Sequence, residues 1–317
     1  MNYNRFITKP LNTMQKKHTI IVLGSTNTDM VIRSRRIPAP GETVSGGTFL
    51  MNPGGKGANQ AVAVARLGGK ATKCIFLAKV GNDLFGRDTA RRMKAGGIDA
   101  RLIVDAHEPS GTALILVDKN GQNCISVALG ANGTLSSDDI YPIFKEELPL
   151  ASALLMQLET PLPTVLFAAQ AAKAAGVPVI LNPAPATKLP SALYRCLEWI
   201  TPNESEAELL TGIPVTDAAS AAKAAKVLQK RGVKNVLITL GIKGCWCSLT
   251  QKLHPANKVK AVDCVAAGDT FNGAFVVALA EGRPCEEAIA FAQKASAISV
   301  TRLGAQSSVP RRDEIQA

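Results

Sequence analysis

The 317-residue sequence predicts a layered α/β domain whose central sheet is mainly parallel. Three observations support this fold class. Short apolar runs end repeatedly in a glycine or a polar residue, and alanine-rich helical stretches separate them. Hydrophobic residues make up 46% of the chain and aromatic residues only 4%, which is typical of a globular α/β protein. No apolar run approaches the ~20 residues of a spanning helix, so a membrane protein is not expected.

Five apolar runs are predicted to be strands of this sheet, at residues 19–23, 152–158, 178–181, 199–201 and 236–240. The stretches 164–175 and 218–231 are predicted helices, so strands and helices alternate as in βαβ units. In open sheets of this kind, ligands bind beyond the carboxyl ends of the strands. Since a polar or glycine residue follows each run, we expect several segments to meet in one cleft.

Residues 30–52 and 111–128 depart from this alternation. The second stretch is predicted to be a hairpin, because Asn120-Gly121 separates two β-type runs at 112–117 and 123–128. The two stretches are interpreted either as a small β-sheet lid over the site or as long surface excursions. Residues 1–18 lack the apolar core of a secretory signal and are interpreted as an N-terminal extension, which leaves 19–317 as the folded domain.

The net charge of +11 comes from 36 basic and 25 acidic side chains. Because the basic residues are scattered and few aromatic residues lie among them, an enzyme with an anionic substrate is favoured over a nucleic-acid binder.

The seven cysteines form no paired framework and no metal-ligand spacing, and the three histidines are isolated. Reduced thiols and a cytoplasmic location are therefore expected.

The segment around Asp269 is the most informative part of the sequence. Apolar residues at helical spacing over 271–279 predict an amphipathic helix, which places Ala267, Gly268 and Asp269 at its N-terminus. Free N–H groups and the helix dipole favour an anion there, such as a phosphate in transfer. Asp269 is therefore a candidate general base for an attacking hydroxyl, and a helix-capping aspartate is the equally weighted alternative.

Two other helix starts carry polar pairs at i, i+3 spacing. Lys56 and Asn59 follow the glycine-rich stretch 53–57 and face the same way, so both could reach a hydroxylated ligand; a tight strand-to-helix turn is the alternative. Asn203 and Glu206 could address phosphate oxygens and hydrated Mg²⁺, and this role is compatible with a capping box. The strand end at 239–244 contains two glycines, so its backbone could lie against a nucleotide. The alternative is a simple turn.

Taken together, these segments resemble the ribokinase-like carbohydrate kinase family over about residues 19–309. The resemblance rests on nine segments in the family's order: GSTNTD at 24–29, PGETV at 40–44, GGKGANQAVA at 54–63, LLMQLE at 154–159, LNPAPA at 181–186, TPNESEAELLTG at 201–212, LITLGIKG at 237–244, AVDCVAAGDTFNGA at 261–274 and GAQSSVP at 304–310. One departure is the tetrapeptide AAGD, which replaces the family's usual GAGD and keeps Gly268 and Asp269.

The resemblance implies a three-layer fold, a lid that pairs two subunits as a homodimer, and ATP-dependent phosphorylation of a pentose. It favours D-ribose, phosphorylated at the 5-hydroxyl to ribose 5-phosphate as the first step of ribose catabolism. Asp269 is implied as the base, with Ala267 and Gly268 supplying anion-hole N–H groups.

The resemblance also implies ligand sets. The sugar contacts would be Asn27, Asp29, Gly55, Lys56, Asn59, Glu159 and Asp269. The ATP contacts would be Asn203, Thr239, Leu240, Gly241, Ile242, Lys243, Gly244 and Gly268, with Gln293 near the adenine. Glu206 would organise Mg²⁺. An activating K⁺ would be bound mainly by backbone oxygens of Asp263, Val265, Ser299, Arg302, Gly304 and Ser308.

Two other functions are compatible with this pattern. One is a kinase for a different sugar or a nucleoside, with deoxyribose as the nearest substrate. Asn27 favours ribose, because a polar amide needs a substrate hydroxyl as partner. The other is a sugar-binding regulator without catalysis, against which the intact Asp269, Lys56 and Glu206 argue.

Overall fold

A computed structural model describes residues 18–316 and confirms the predicted layered α/β fold with a small second sheet. All but the last residue of the predicted N-terminal extension lies outside this range. The strands are β1 (His18–Leu23), β2 (Asn27–Arg33), β3 (Thr48–Gly54), β4 (Thr72–Gly81), β5 (Asp99–Asp105), β6 (Gly111–Val117), β7 (Asn123–Ala128), β8 (Ala151–Met156), β9 (Val179–Leu181), β10 (Trp199–Ile200), β11 (Asn235–Thr239), β12 (Cys245–Cys247) and β13 (Lys252–His254).

The α-helices lie between these strands and, at the C-terminal end, after them. They are α1 (Lys56–Gly68), α2 (Leu84–Ala95), α3 (Ser137–Glu147), α4 (Leu162–Ala174), α5 (Ser191–Tyr194), α6 (Glu204–Thr211), α7 (Ala218–Lys230), α8 (Ala267–Ala280), α9 (Cys285–Ser299) and α10 (Arg312–Gln316). Among the described residues, no helix is both long and apolar enough to cross a membrane.

The large sheet has nine strands in the order β13-β12-β11-β10-β9-β8-β1-β4-β5. The strands from β11 to β5 pair in parallel, and β12 and β13 extend one edge in antiparallel pairing. The five strands predicted from apolar runs correspond to β1, β8, β9, β10 and β11, with ends that differ by one or two residues. Their carboxyl ends therefore lie along one edge, as predicted.

Two helical layers enclose this sheet, which confirms the three-layer arrangement. Ile20 and Val22 of β1 pack into a core shared with α1, α8 and α9, whereas Ile21 and Leu23 pack into a core shared with α3, α4 and α7. All four side chains are fully buried. This alternation follows from the two-residue period of a strand, and a strand buried on both faces is apolar throughout.

Helix α8 packs closely against α1 in the first of these layers. A Cβ atom at Gly273 would lie 2.4 Å from the Cβ of Ala63 and 3.1 Å from the carbonyl oxygen of Gln60. Only glycine permits this approach, because any side chain at position 273 would push the two helices apart. The close packing brings the start of α8 beside the start of α1, where the predicted site residues lie.

The stretches 30–52 and 111–128, which lack the alternation of strands and helices, contribute to a four-stranded sheet in the order β3-β2-β6-β7. Strands β6 and β7 are the predicted hairpin, and its turn is closed by the hydrogen bond from Gly121 N to Asp118 O. The prediction of a small sheet is confirmed, and the alternative of irregular surface excursions is wrong. Because β2 begins at Asn27, just after β1, this sheet starts at the edge where the large sheet's strands end.

Candidate active site

Asp269 is the third residue of α8 and is almost completely buried. The helix is capped by Ala266, whose backbone is left-handed (φ 58°) and whose side chain makes no capping hydrogen bond. Asp269 is therefore not an N-cap, and the capping alternative is wrong. A buried carboxylate in the first turn of a helix is stabilised by the helix dipole, so Asp269 remains a candidate general base.

Two amide groups from α1 hold the Asp269 carboxylate. Asn59 Nδ2 donates to Oδ2 and Gln60 Nε2 donates to Oδ1, both at 2.9 Å. Burial raises the pKa of Asp269, while the nearby Lys56 ammonium and the two amide donors lower it. A general base is most effective when its pKa lies nearer the working pH than that of a free carboxyl group.

The N-terminus of α8 is open beside this carboxylate. Apart from Gly268 itself, its two neighbours and the backbone of α8, no atom lies within 4 Å of the position that a Cβ on Gly268 would occupy, so a ligand can approach the backbone there. Of the two predicted anion-hole N–H groups, that of Ala267 makes a long hydrogen bond to Cys264 O at 3.3 Å. Asn272 Nδ2 donates to Gly268 O at 2.9 Å and fixes that peptide group.

The glycine-rich turn before α1 brings further polar side chains to the same place. Gly55 has φ 87°, a conformation that side chains rarely adopt, and so the chain turns directly from β3 into α1. Glu159, after β8, accepts hydrogen bonds from the Lys56 backbone N–H at 3.0 Å and from Ser25 Oγ at 2.5 Å. Burial, reinforced by Glu159, raises the pKa of Asp29 to about 6. The predicted sugar residues therefore do lie around one site.

Asn27 is buried at the start of β2, and its orientation is fixed by Asn132. Asn132 Nδ2 donates to Asn27 Oδ1 at 2.9 Å and to Thr26 O at 3.0 Å, while its Oδ1 accepts from Thr26 N. Because the oxygen of the Asn27 amide is already paired, its NH₂ group remains for a ligand. Asn132 lies in a 3₁₀ turn at Gly130–Thr134, soon after the second strand of the hairpin.

The residues predicted to bind ATP and Mg²⁺ cluster at the ends of β10 and β11. Asn203 and Glu206 form the expected capping box: Asn203 Oδ1 accepts from Glu206 N at 2.8 Å, and Glu206 Oε2 accepts from Asn203 N at 2.9 Å. Thr239 N donates to Pro202 O, which joins the two strand ends. Burial raises the pKa of Glu206, and Asp269 adds to this rise while Lys56 opposes it.

The remaining predicted nucleotide residues line the following turn. Leu240 precedes the 3₁₀ turn Gly241–Lys243, where Ile242 is 97% exposed and Lys243 Nζ donates to Thr216 O. Gly244 closes the turn through its hydrogen bond to Gly241 O. Gln293 lies on α9 beside β13, where its Nε2 already donates to His254 O at 2.8 Å.

The two loops predicted to hold K⁺ are joined by Asp263. Its Oδ1 accepts from Val265 N at 3.0 Å and its Oδ2 accepts from Gly304 N at 2.9 Å. Ser299 and Ser308 are fully buried, and both turn their hydroxyl groups onto backbone carbonyls. The backbone N–H of Arg302 donates to Ser299 O. A set made of carbonyl and carboxylate oxygens is one that suits a hard monovalent cation.

Several buried amides beside Asp269 were not identified from the sequence. Gln60, Gln157, Asn182 and Asn272 have at most 8% of their surface exposed, and all are hydrogen-bonded near the site. One signal was available: Gln60 lies four residues after Lys56, so it shares the helix face that Lys56 and Asn59 were predicted to present. Gln157 and Asn182 likewise lie at the ends of predicted strands.

A buried carboxylate at the start of a helix, flanked by glycine-rich turns and by buried amides and carboxylates, is the arrangement that phosphoryl transfer to a hydroxyl group requires. Residues 17–312 match the sequence profile of the pfkB family carbohydrate kinases, and the chain belongs to this family. It is 47% identical over 301 residues to the ribokinase of Haemophilus influenzae, covering 94% of this chain and 97% of that protein.

Two other relatives bear on the substrate. The deoxyribokinase of Salmonella typhi is 39% identical over 295 residues, covering 92% of this chain and 95% of that protein. The Arabidopsis thaliana ribokinase complexed with ribose and ATP is 34% identical and superimposes with a TM-score of 0.86, covering 95% of this chain and 98% of that chain.

Proposed function

We propose that this protein transfers the γ-phosphate of ATP to the 5-hydroxyl of D-ribose, the first step of ribose catabolism. The observation that carries the proposal is Asp269. Its buried carboxylate is held by two amide donors in the first turn of α8, beside the open backbone of Gly268. Relatives named ribokinase align with more than nine-tenths of the chain. Seven cysteines, none of them disulfide-bonded, support a cytoplasmic location.

Each group has a separate part in the proposed reaction. Asp269 accepts the proton of the sugar hydroxyl as that oxygen attacks phosphorus. The N-terminal backbone of α8 stabilises the negative charge on the transferring phosphoryl group, and Lys56 is one of the sugar contacts. The Glu206 carboxylate, whose Oε2 is paired with Asn203 N, would hold hydrated Mg²⁺, which neutralises phosphate charge when bound. Catalysis therefore depends on positioning and electrostatics rather than on a covalent enzyme intermediate.

The proposal is tested by measuring ATP consumption with ribose, 2-deoxyribose, fructose, adenosine and pyridoxal as acceptors. We expect ribose to give the highest kcat/KM, with ribose 5-phosphate as the product. ATP turnover on another acceptor alone would replace ribose as the substrate. Ribose binding without ATP turnover would instead indicate a sugar-binding regulator.

The second candidate substrate is 2-deoxyribose. The observation in its favour is the similarity of this chain to the deoxyribokinase of Salmonella typhi. Ribose is preferred because Asn132 orients Asn27 so that its NH₂ group remains for a substrate oxygen. A bound sugar that lacks the matching hydroxyl would leave this buried amide donor without an acceptor, which makes the free energy of binding less favourable. The site should therefore discriminate against such a sugar.

The monovalent-ion site is the next part of the proposal. The oxygen donors around Asp263, Val265, Ser299, Arg302, Gly304 and Ser308 would hold K⁺. Because Asp263 bridges the loop before α8 to the loop after α9, a bound cation would set the shape of the helix start rather than touch the substrate.

We expect activity to rise with K⁺ or Cs⁺ and much less with Na⁺ or Li⁺, because the larger ions suit a site built mainly from carbonyl oxygens. The measurement is kcat at saturating ribose and ATP in the four chloride salts at equal ionic strength. Equal rates in all four salts would eliminate the ion site and leave the kinase assignment intact.

A homodimer through the small sheet is also proposed. Ile32, Phe49, Met51 and Leu114 lie on one face of this sheet, at paired positions in β2, β3 and β6, and each is between 41% and 58% exposed. Monomeric proteins rarely expose a contiguous apolar surface of this kind, and a second copy of the same sheet would cover it.

Replacing Leu114 with glutamate should convert the dimer to a monomer, because a charge at the centre of an apolar interface loses its hydration. Sedimentation equilibrium measures the mass. Leu84→Glu on α2 is the matched control, since Leu84 is 73% exposed outside the small sheet and should not affect association. A monomeric unmodified protein at micromolar concentration would contradict the proposal.

A further inference from the structure

A chain of buried side-chain amides ends on the Asp269 carboxylate. Gln157 Nε2 donates to Gln60 Oε1 at 2.5 Å, and Gln60 Nε2 donates both to Asp269 Oδ1 at 2.9 Å and to Asn182 Oδ1 at 3.0 Å. Asn182 Nδ2 in turn donates to the backbone carbonyl of Thr201 at 3.2 Å. Gln60 is fully buried, so its hydrogen bonds have no competition from water.

The orientation of the Gln60 amide is determined by its neighbours, independently of Asp269. The Thr201 carbonyl can only accept, so Asn182 must turn its NH₂ group toward Thr201 and its oxygen toward Gln60. Gln60 must therefore present its NH₂ group on this side, where Asp269 also lies. Gln157 donates to the opposite end of the Gln60 amide, but its own Oε1 has no hydrogen-bond partner among the described residues, so the link through Asn182 determines the orientation.

Asn59, the other amide on the carboxylate, is not fixed in this way. Its Oδ1 is buried and has no hydrogen-bond partner among the described residues. Rotation of the Asn59 amide by half a turn therefore breaks no bond except that to Asp269, so Asn59 can follow a change in the protonation of Asp269. Gln60 cannot rotate without also reversing Asn182, whose NH₂ group is held by the Thr201 carbonyl.

We infer that Gln60 is a positioning residue that imposes a hydrogen-bond donor on Asp269 and so keeps the catalytic carboxylate ionised and correctly rotated. A fixed donor stabilises the carboxylate form and not the protonated form. It opposes the effect of burial, which raises the pKa of Asp269. This inference rests on the proposed role of Asp269 as general base, and it adds the residue that maintains the required charge state.

The charged groups that influence Asp269 are Lys56 on α1, Glu159 after β8 and Glu206 on α6. A test must leave all three unchanged. Gln60→Met keeps the size of the side chain and removes its amide. Asn182→Leu leaves Gln60 in place and removes the link to the Thr201 carbonyl.

The measurement is kcat for ribose as a function of pH. Gln60→Met should raise the midpoint of the acid limb by about one pH unit, because a hydrogen bond to the charged form is lost. At pH 7, kcat should fall by up to about tenfold, the largest loss of ionised base that a shift of one pH unit can cause, while KM for ribose should change much less. Asn182→Leu should shift the acid limb in the same direction by a smaller amount.

Asn235→Leu is the matched control, because Asn235 is a buried amide at the start of β11, the end of the strand opposite to the site. It should lower Tm without moving the acid limb. An acid limb unchanged by Gln60→Met would show that Gln60 only fills space, and an equal shift in Asn235→Leu would show that general destabilisation moves the limb. Either result overturns the inference.

A second readout does not need turnover. Tm is measured as a function of pH for four proteins: the parent, Asp269→Asn, Gln60→Met and the double variant. The curve of each protein with Asp269 is compared with that of its Asp269→Asn counterpart. The difference between the two Tm curves grows from the pKa of the unfolded chain and becomes constant above the pKa of Asp269 in the folded protein, so both the pH at which it becomes constant and its final size should be larger in Gln60→Met. If no sugar is phosphorylated but this shift is found, the proposed function fails and the role of Gln60 stands; unchanged curves overturn the role.

Discussion

Asp269→Asn should lower kcat for ribose by about two to four orders of magnitude, the usual effect of removing a general base. The substitution keeps the size of the side chain, and Asn59 can rotate its amide to pair with the introduced NH₂ group. The fold and the affinity for ribose should therefore persist. Steady-state kinetics and calorimetric ribose binding make the comparison. Near-normal turnover in this variant would remove Asp269 from the chemistry.

The same substitution should raise Tm at neutral pH. Burial raises the pKa of Asp269, so the folded protein binds this proton more readily than the unfolded chain does. The contribution of Asp269 to stability is thus greatest below the ordinary carboxyl pKa of 3.8 and decreases as the pH rises through the raised value. The Tm difference should vanish in acid. A variant less stable than the parent at pH 7 would contradict this sign.

The unmodified protein should have a kcat/KM about ten- to a hundredfold higher for ribose than for 2-deoxyribose. Leaving a buried amide without its hydrogen-bond partner costs roughly 1–3 kcal/mol of binding free energy. Asn27→Met should reduce this ratio mainly by harming ribose. The substitution also leaves Asn132 Nδ2 without its acceptor at Asn27. For this reason the test is the ratio of kcat/KM values for the two sugars, in which a general loss of activity cancels.

Thr28→Val provides the matched control for Asn27→Met. Thr28 is the next residue of β2, is equally buried, and points to the opposite face of the strand. Its replacement should leave the sugar ratio unchanged. A parent protein that already prefers deoxyribose would refute the assignment to ribose, although the protein would remain a sugar kinase.

The fold was predictable where local sequence determines it. The run at β1 is apolar from Ile20 to Leu23 because both faces are covered, and Asn120-Gly121 specifies a tight turn between two β-type runs. Strands β4, β5, β12 and β13 of the large sheet were not predicted. Strands β12 and β13 contain only three residues each, and their place at the sheet edge depends on the pairing of β12 with β11 and of β13 with β12 rather than on any periodicity.

The candidate site was predictable in its charged residues and in Asn59, but not in Gln60, Gln157 and Asn182. Lys56 and Asp269 are recognisable because glycine-rich turns and helix starts are local features. Gln157 and Asn182 contact Gln60 across 97 and 122 residues of sequence. Nothing near Gln157 in the sequence indicates that its partner is an amide on α1, because that contact exists only after the sheet and the helical layer have packed together.

The close packing of α1 and α8 has a consequence for biosynthesis. Asn59 and Asp269 are separated by 210 residues, which a ribosome adding about 5–20 residues per second needs roughly 10–40 s to produce. During that interval the α1 surface at Ala63, which α8 later covers, has no partner in the nascent chain. An exposed apolar helix face in an incomplete chain is prone to aggregation and is a surface that chaperones bind. The catalytic centre is therefore among the last parts of the molecule to form, and a chain truncated before α8 would have neither the base nor a closed core.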